Sequence, residues 1–287
     1  MDIHRKNRRW GLILILGVLG LCLGLIALST VFNLFIPDQT SHPDQLGKAD
    51  ITYFLEAQHL RQELGDQVFP YSLVASIFFP NSDTYLSMIQ HESFHAFQAV
   101  WAQPRFDAAE WDGIRLSDQY PWESKAGIDA WQQELDLLQA ALKSEDKEGA
   151  RQLAQQFLNH RDVRRKTMQL SADLIRYENQ REWVEGMARY AELETWRLAA
   201  TDEQYQPLVD VHSDRKFKEY RSFAERWRRE LDQISRMAED EGDGRFYYSG
   251  MAQAYLLDQL HPSWKLTLAA DPMLNLEDLL RQALTVK

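Results

Sequence analysis

Hydrophobic and polar positions divide this chain into parts of different character. Between Trp10 and Ile36 no residue is charged and nearly all are apolar, a run longer than the ~20 residues a helix needs to cross a bilayer core. It predicts one transmembrane anchor over 10–36. Pro37 to Lys48 has no apolar periodicity and two prolines, which marks a linker. From Ala49 onward apolar residues recur mostly at three- and four-residue spacing. This predicts helices near Ile51–Leu64, Thr84–Gln103, Ser124–Lys143, Lys147–Tyr177, Gln180–Ala200, Asp214–Glu239, Phe246–His261 and Leu276–Ala283. Asn81, Ser82 and Asp83 offer caps for the second of these, and Pro104 stops it. Tyr71–Phe79, bounded by Pro70 and Pro80, is the best strand candidate, and Pro104–Pro121 reads as a loop. The basic runs Arg161–Lys166 and Arg215–Arg236 read as solvated helix faces. The fold class is mainly α with little sheet: a helix-rich domain over 49–287 behind one transmembrane helix.

Charge adds an orientation. The 287 residues carry 32 Lys+Arg and 43 Asp+Glu, a net −11. Within residues 1–9, Arg5, Lys6, Arg8 and Arg9 oppose only Asp2, leaving +3 there and −14 in the remainder. Basic residues beside a span stay on the cytoplasmic side, so residues 1–9 form a cytoplasmic tail and the domain is extracytoplasmic. An acidic remainder argues against nucleic acid as a partner. The single cysteine, Cys22, excludes an intrachain disulfide framework and a Cys-rich zinc module. A cleaved signal peptide with a site at Ala27-Leu28-Ser29 is the rival to a retained anchor, but the apolar run exceeds a usual signal core of ~7–15 residues. A lipoprotein reading through Cys22 is weakened by bulky Leu21 before it. Gly20 and Gly24 form a small-xxx-small pair that would let two anchors dimerise, although glycine is common in membrane helices anyway.

The sharpest chemical feature is His91-Glu92-Ser93-Phe94-His95. Residues four apart share a helix face, so both imidazoles reach one ion while Glu92 lies beside it as a general base. A hydrolytic zinc site needs a third protein ligand and an open position. Downstream, Glu182-Trp183-Val184-Glu185-Gly186-Met187-Ala188 resembles the Glu-Gly-x-Ala motif of the gluzincin metallopeptidases, distantly those similar to aminopeptidase N and thermolysin. That resemblance implies Glu185 as the third ligand, with Glu182, one turn earlier, as second choice. In the aminopeptidase N-like members a tyrosine three residues before a glycine stabilises the oxyanion; Tyr247, before Gly250, matches, with Tyr248 as its neighbour. The resemblance covers three motifs in order and implies a zincin-like α+β domain. Two departures stand out: 89 residues separate His95 from Glu185, and no Gly-x-Met-Glu-Asn motif for a substrate amino group precedes His91.

The expectation is a membrane-anchored zinc metallopeptidase acting on a peptide or protein substrate, with Zn²⁺ on His91, His95 and Glu185, Glu92 as base and Tyr247 at the oxyanion. Arg189, four residues after Glu185, orients a carboxylate or makes a surface ion pair. Two other classes compete. Glu56-Ala57-Gln58-His59 and Glu92-Ser93-Phe94-His95 are both Glu-x-x-His, the paired motif of di-iron bundles, a reading that leaves His91 without a role. An inactive anchored scaffold is the other. His42, His59, His160, His212 and His261 read as structural or surface residues.

Overall fold

The computed structural model describes residues 82–206, 215 and 217–285. The anchor 10–36, the linker, the helix at 51–64, the strand candidate 71–79 and the pair Glu56/His59 lie outside the described residues. Ten α-helices follow one another among the described residues: α1 Ser82–Trp101, α2 Gln103–Leu116, α3 Lys125–Leu142, α4 Lys147–Thr167, α5 Ala172–Arg181, α6 Met187–Thr201, α7 Phe223–Ile234, α8 Gly244–Leu260, α9 Trp264–Ala270 and α10 Leu276–Thr285. A π-helical turn, Glu182–Gly186, joins α5 to α6. No strand occurs among these residues, and no helix among them is long and apolar enough to cross a membrane.

Local chemistry explains most boundaries. Ser124, Asp146 and Ser171 cap α3, α4 and α5, their side chains accepting from Gly127 N, Gly149 N and Leu174 N. Three of the predicted boundaries need correcting. Pro104 does not open a loop: it sits in the first turn of α2, where its missing N–H removes nothing the helix needs. Lys147–Tyr177 is two helices, because Gln169 adopts a left-handed φ of 52° and Leu170 N donates back to Arg165 O at 3.0 Å. Among the described residues of the stretch Asp214–Glu239, Phe223–Ile234 are α-helical and Met237–Glu239 form a short 3₁₀ turn.

α8 runs through the centre. It packs on α3, α4, α5, α6, α7, α10 and the π turn, and Phe246, Met251, Ala252, Ala254, Leu256 and Leu257 on it are wholly buried. A helix apolar on nearly every side has to be surrounded. α3 and α4 form an antiparallel hairpin beside it, and α6 lies against α1.

The run Arg161–Lys166 is the largest correction. Arg161, Arg164 and Arg165 are buried, not solvated. Arg161 donates to Glu134 at 2.9 Å and to Glu182 at 2.6 Å, while Arg164 and Arg165 both reach Glu178, at 2.6 and 2.7 Å. Glu277 of α10 pairs with Arg165 at 2.8 Å. Burial pushes the Glu178 carboxyl up, but Arg164 and Arg165 dominate and hold it well below the usual range. Sequence periodicity does not reveal this network, since its acids come from α3, α5, the π turn and α10. Arg226, in the second basic run, is likewise buried and pairs with Glu192.

Candidate metal centre

Three helical segments converge on His91. α1 supplies His91, Glu92 and His95; the π turn supplies Glu185; the first turns of α8 supply Tyr247. Two glycines set how closely the last two approach. A Cβ on Gly186 would lie under 3.0 Å from Gly250 Cα, Gly250 C and Met251 N, and one on Gly250 would lie as close to Glu182 O and Gly186 Cα. The backbones of the π turn and α8 therefore touch, which only glycine on both sides permits. Glu185 precedes one glycine and Tyr247 lies a turn before the other, so the contact places both at one end of α1's histidine pair.

The gathered atoms are specific. His91 Nε2 and His95 Nε2 are 3.1 Å apart, and Glu185 Oε2 lies 3.5 Å from the first and 3.4 Å from the second. Glu185 Oε2 is buried and accepts no well-formed hydrogen bond. Its partner Oε1 is held by Arg181 Nη2 at 2.6 Å, and Arg181 is in turn braced by Asp243 and Glu110. Donor atoms around a tetrahedral ion with bonds of ~2.0–2.1 Å stand about 3.3–3.4 Å apart, whereas adjacent donors of an octahedral site with ~2.0–2.2 Å bonds stand about 2.8–3.1 Å apart. The two separations involving Glu185 lie near the tetrahedral spacing, and the 3.1 Å between the two imidazole nitrogens lies at the octahedral one. A buried oxygen lacking a donor, aimed at two imidazole nitrogens, fits an ion between them.

Electrostatics favour positive charge here. Burial alone would lower the His91 pKa, but the Glu185 and Glu192 carboxylates overcome it and raise it to about 9. Burial would raise the Glu185 pKa, yet His91, His95 and Tyr247 hold it well below the carboxylate range. The carboxylates that favour a proton on His91 also favour a divalent cation in its place. Tyr247 stacks on His91, with ring centroids 5.3 Å apart and planes 4° from parallel. Burial and then Glu185 push its phenol pKa up, so it stays a hydrogen-bond donor. Glu92 is exposed, near enough for its charge to raise Tyr247 further.

His91, His95, Glu185 and Tyr247 thus come together, and other candidates do not. Glu182 is taken by Arg161 and by Ser249 Oγ at 2.6 Å. Although Glu182 is three residues from Glu185, the π turn widens the helical register and the two acids meet different neighbours. Tyr248 donates to Glu230 at 3.1 Å. Arg189 is not a surface residue: it bridges Glu192 and Glu230, both at 2.7 Å. Sequence reasoning missed Glu192, which lies 3.7 Å from His91 Nδ1 and accepts from Ser87 and Arg226. It also missed Gln98, which lies against His95 Nδ1. Their positions, seven residues after Glu185 and three after His95, are the helical spacings that could have drawn attention to them.

Comparison with known protein families, curated proteins and solved structures returned no match. The chemistry of the centre therefore rests on its own geometry.

Proposed function

We propose that this chain is a membrane-anchored zinc-dependent peptidase whose catalytic centre is His91, His95, Glu185, Glu92 and Tyr247. The observation that carries the reading is the triangle of His91 Nε2, His95 Nε2 and the unpartnered Glu185 Oε2. When bound, zinc supplies Lewis-acid activation of a water and of the scissile carbonyl. Glu92, exposed beside the histidines, takes a proton from the attacking water and passes it to the departing amine. Tyr247, kept as a neutral phenol, donates to the oxygen on which charge develops. Arg181 occupies Glu185 Oε1 and leaves Oε2 for the ion.

The zincin-like α+β architecture, the anchor over 10–36 with an extracytoplasmic domain, and a homodimer through Gly20 and Gly24 belong to the same proposal. The convergence of His91 Nε2 with His95 Nε2 favours this centre over a di-iron bundle, in which His91 has no role.

The test uses the full chain in detergent. One zinc per chain is expected, with chelator-sensitive hydrolysis of unstructured polypeptides. Glu92→Gln should keep the zinc and lose turnover, and His91→Ala should lose the metal. Two irons per chain, zinc retained at wild-type stoichiometry in His91→Ala, or no turnover across a broad peptide library despite bound zinc would overturn the reading.

A further inference from the structure

Gln98, on α1 one turn beyond His95, is fully buried. Its Nε2 donates to the Trp183 carbonyl at 2.7 Å, and its Oε1 lies 3.1 Å from His95 Nδ1. A peptide carbonyl can only accept, so the amide nitrogen has to face Trp183 and the amide oxygen has to face His95. An amide oxygen can only accept as well, so His95 Nδ1 has to carry a hydrogen. In the neutral ring this leaves Nε2 bare, and Nε2 is the atom 3.1 Å from His91 Nε2 and 3.4 Å from Glu185 Oε2. The chain of hydrogen bonds begins at a carbonyl of the π turn, two residues before Glu185.

We propose that Gln98 is a positioning residue that locks His95 in its Nδ1–H form and ties that choice to the turn carrying Glu185, so that two ligands are presented to one ion together. The inference rests on the metal-centre reading for its purpose, but the tautomer is a property of the protein without metal. A plain packing role for Gln98 would tie α1 to the π turn equally well and leave the His95 tautomer free. The two roles therefore differ in a measurable quantity.

The experiment takes the metal-stripped full chain, ¹⁵N-labelled at histidine, and reads the protonated nitrogen of neutral His95 from long-range ¹⁵N–¹H correlations, assigned with His95→Ala. Zinc affinity is measured alongside by competition with a chelator. Wild type should show Nδ1–H at His95. Gln98→Met, similar in volume and unable to donate or accept strongly, should shift His95 toward Nε2–H and weaken zinc about 10–100-fold, the usual effect of removing an outer hydrogen-bond partner of a metal ligand. Nε2–H at His95 in the wild type overturns the proposal, as does a Gln98→Met protein with unchanged tautomer and affinity. Should Gln98→Met fail to fold, the wild-type spectrum alone decides. Nδ1–H together with no zinc binding upholds the lock and refutes the metal centre.

Discussion

Gly186→Ala tests the geometry of the centre through its backbone. In an ordinary helix the change would stabilise by about 1 kcal/mol. Here the new Cβ meets Gly250 Cα, Gly250 C and Met251 N, all under 3.0 Å. These atoms belong to α8, so no rotamer can move them aside, and α8 must retreat by roughly 0.5–1 Å to restore ordinary contact. Overpacking of this kind costs about 1–3 kcal/mol. Set against the propensity gain, the net is a loss of up to about 2 kcal/mol. The same wedge pushes on the π turn at the residue next to Glu185, so the affinity of the proposed centre for zinc should fall together with stability. Gly113→Ala in α2 is the control: its Cβ would meet only the Arg181 side chain, at 3.4 Å and beyond, and it should stabilise by up to about 1 kcal/mol. Urea unfolding of the metal-free protein and chelator competition supply the two readouts. A Gly186→Ala protein at least as stable as wild type, with unchanged zinc affinity, would refute the close-contact argument.

Two further predictions concern the buried network. Arg161→Met leaves the buried Glu182 without its arginine and Glu134 with Arg164 alone, and should cost about 3–5 kcal/mol in denaturant unfolding; a loss under about 1 kcal/mol would show the network to be far more solvated than its burial implies. Acid should also destabilise the domain. Burial pushes the Glu277 carboxyl up but Arg161 and Arg165 hold it below its ordinary 4.5, and Glu178 behaves likewise. Because the native pKa values lie below the unfolded ones, their stabilisation is full above about pH 5 and drains away as pH falls through 4.5 toward the native values. A urea midpoint unchanged between about pH 6 and pH 3.5 would contradict this sign.

α3, capped by Ser124, together with α8 and α10 was legible in the sequence: all three lie within two residues of their predicted ends. Ser124 and the long apolar faces carried that information locally. α2 was read as a loop because Pro104, taken as the stop of the preceding helix, and Pro121 bound the segment, and only its packing against α1 and α5 shows that a first-turn proline is tolerated there. α9, a seven-residue helix, was missed because its single run Trp264–Ala270 is too short to display a period. The α4–α5 break lacks glycine or proline, and a left-handed glutamine leaves no compositional mark.

For the candidate centre, His91, Glu92 and His95 were readable because four-residue spacing on one helix is a local property. Glu185 and Tyr247 were proposed from motif resemblance; their approach to His91 depends on the contact between Gly186 and Gly250, 64 residues apart in the chain. The choice between Glu185 and Glu182 was beyond the sequence, since both acids occupy nearly the same α-helical face. The π turn and the buried Arg161 separate them, one toward the histidines and the other into the ion-pair network. Spacing along the chain thus determined which residues have the chemistry for a metal and a base. Which of them meet was decided by long-range packing, because a pair of backbones that touch and a buried arginine that claims one carboxylate are properties of distant segments brought together.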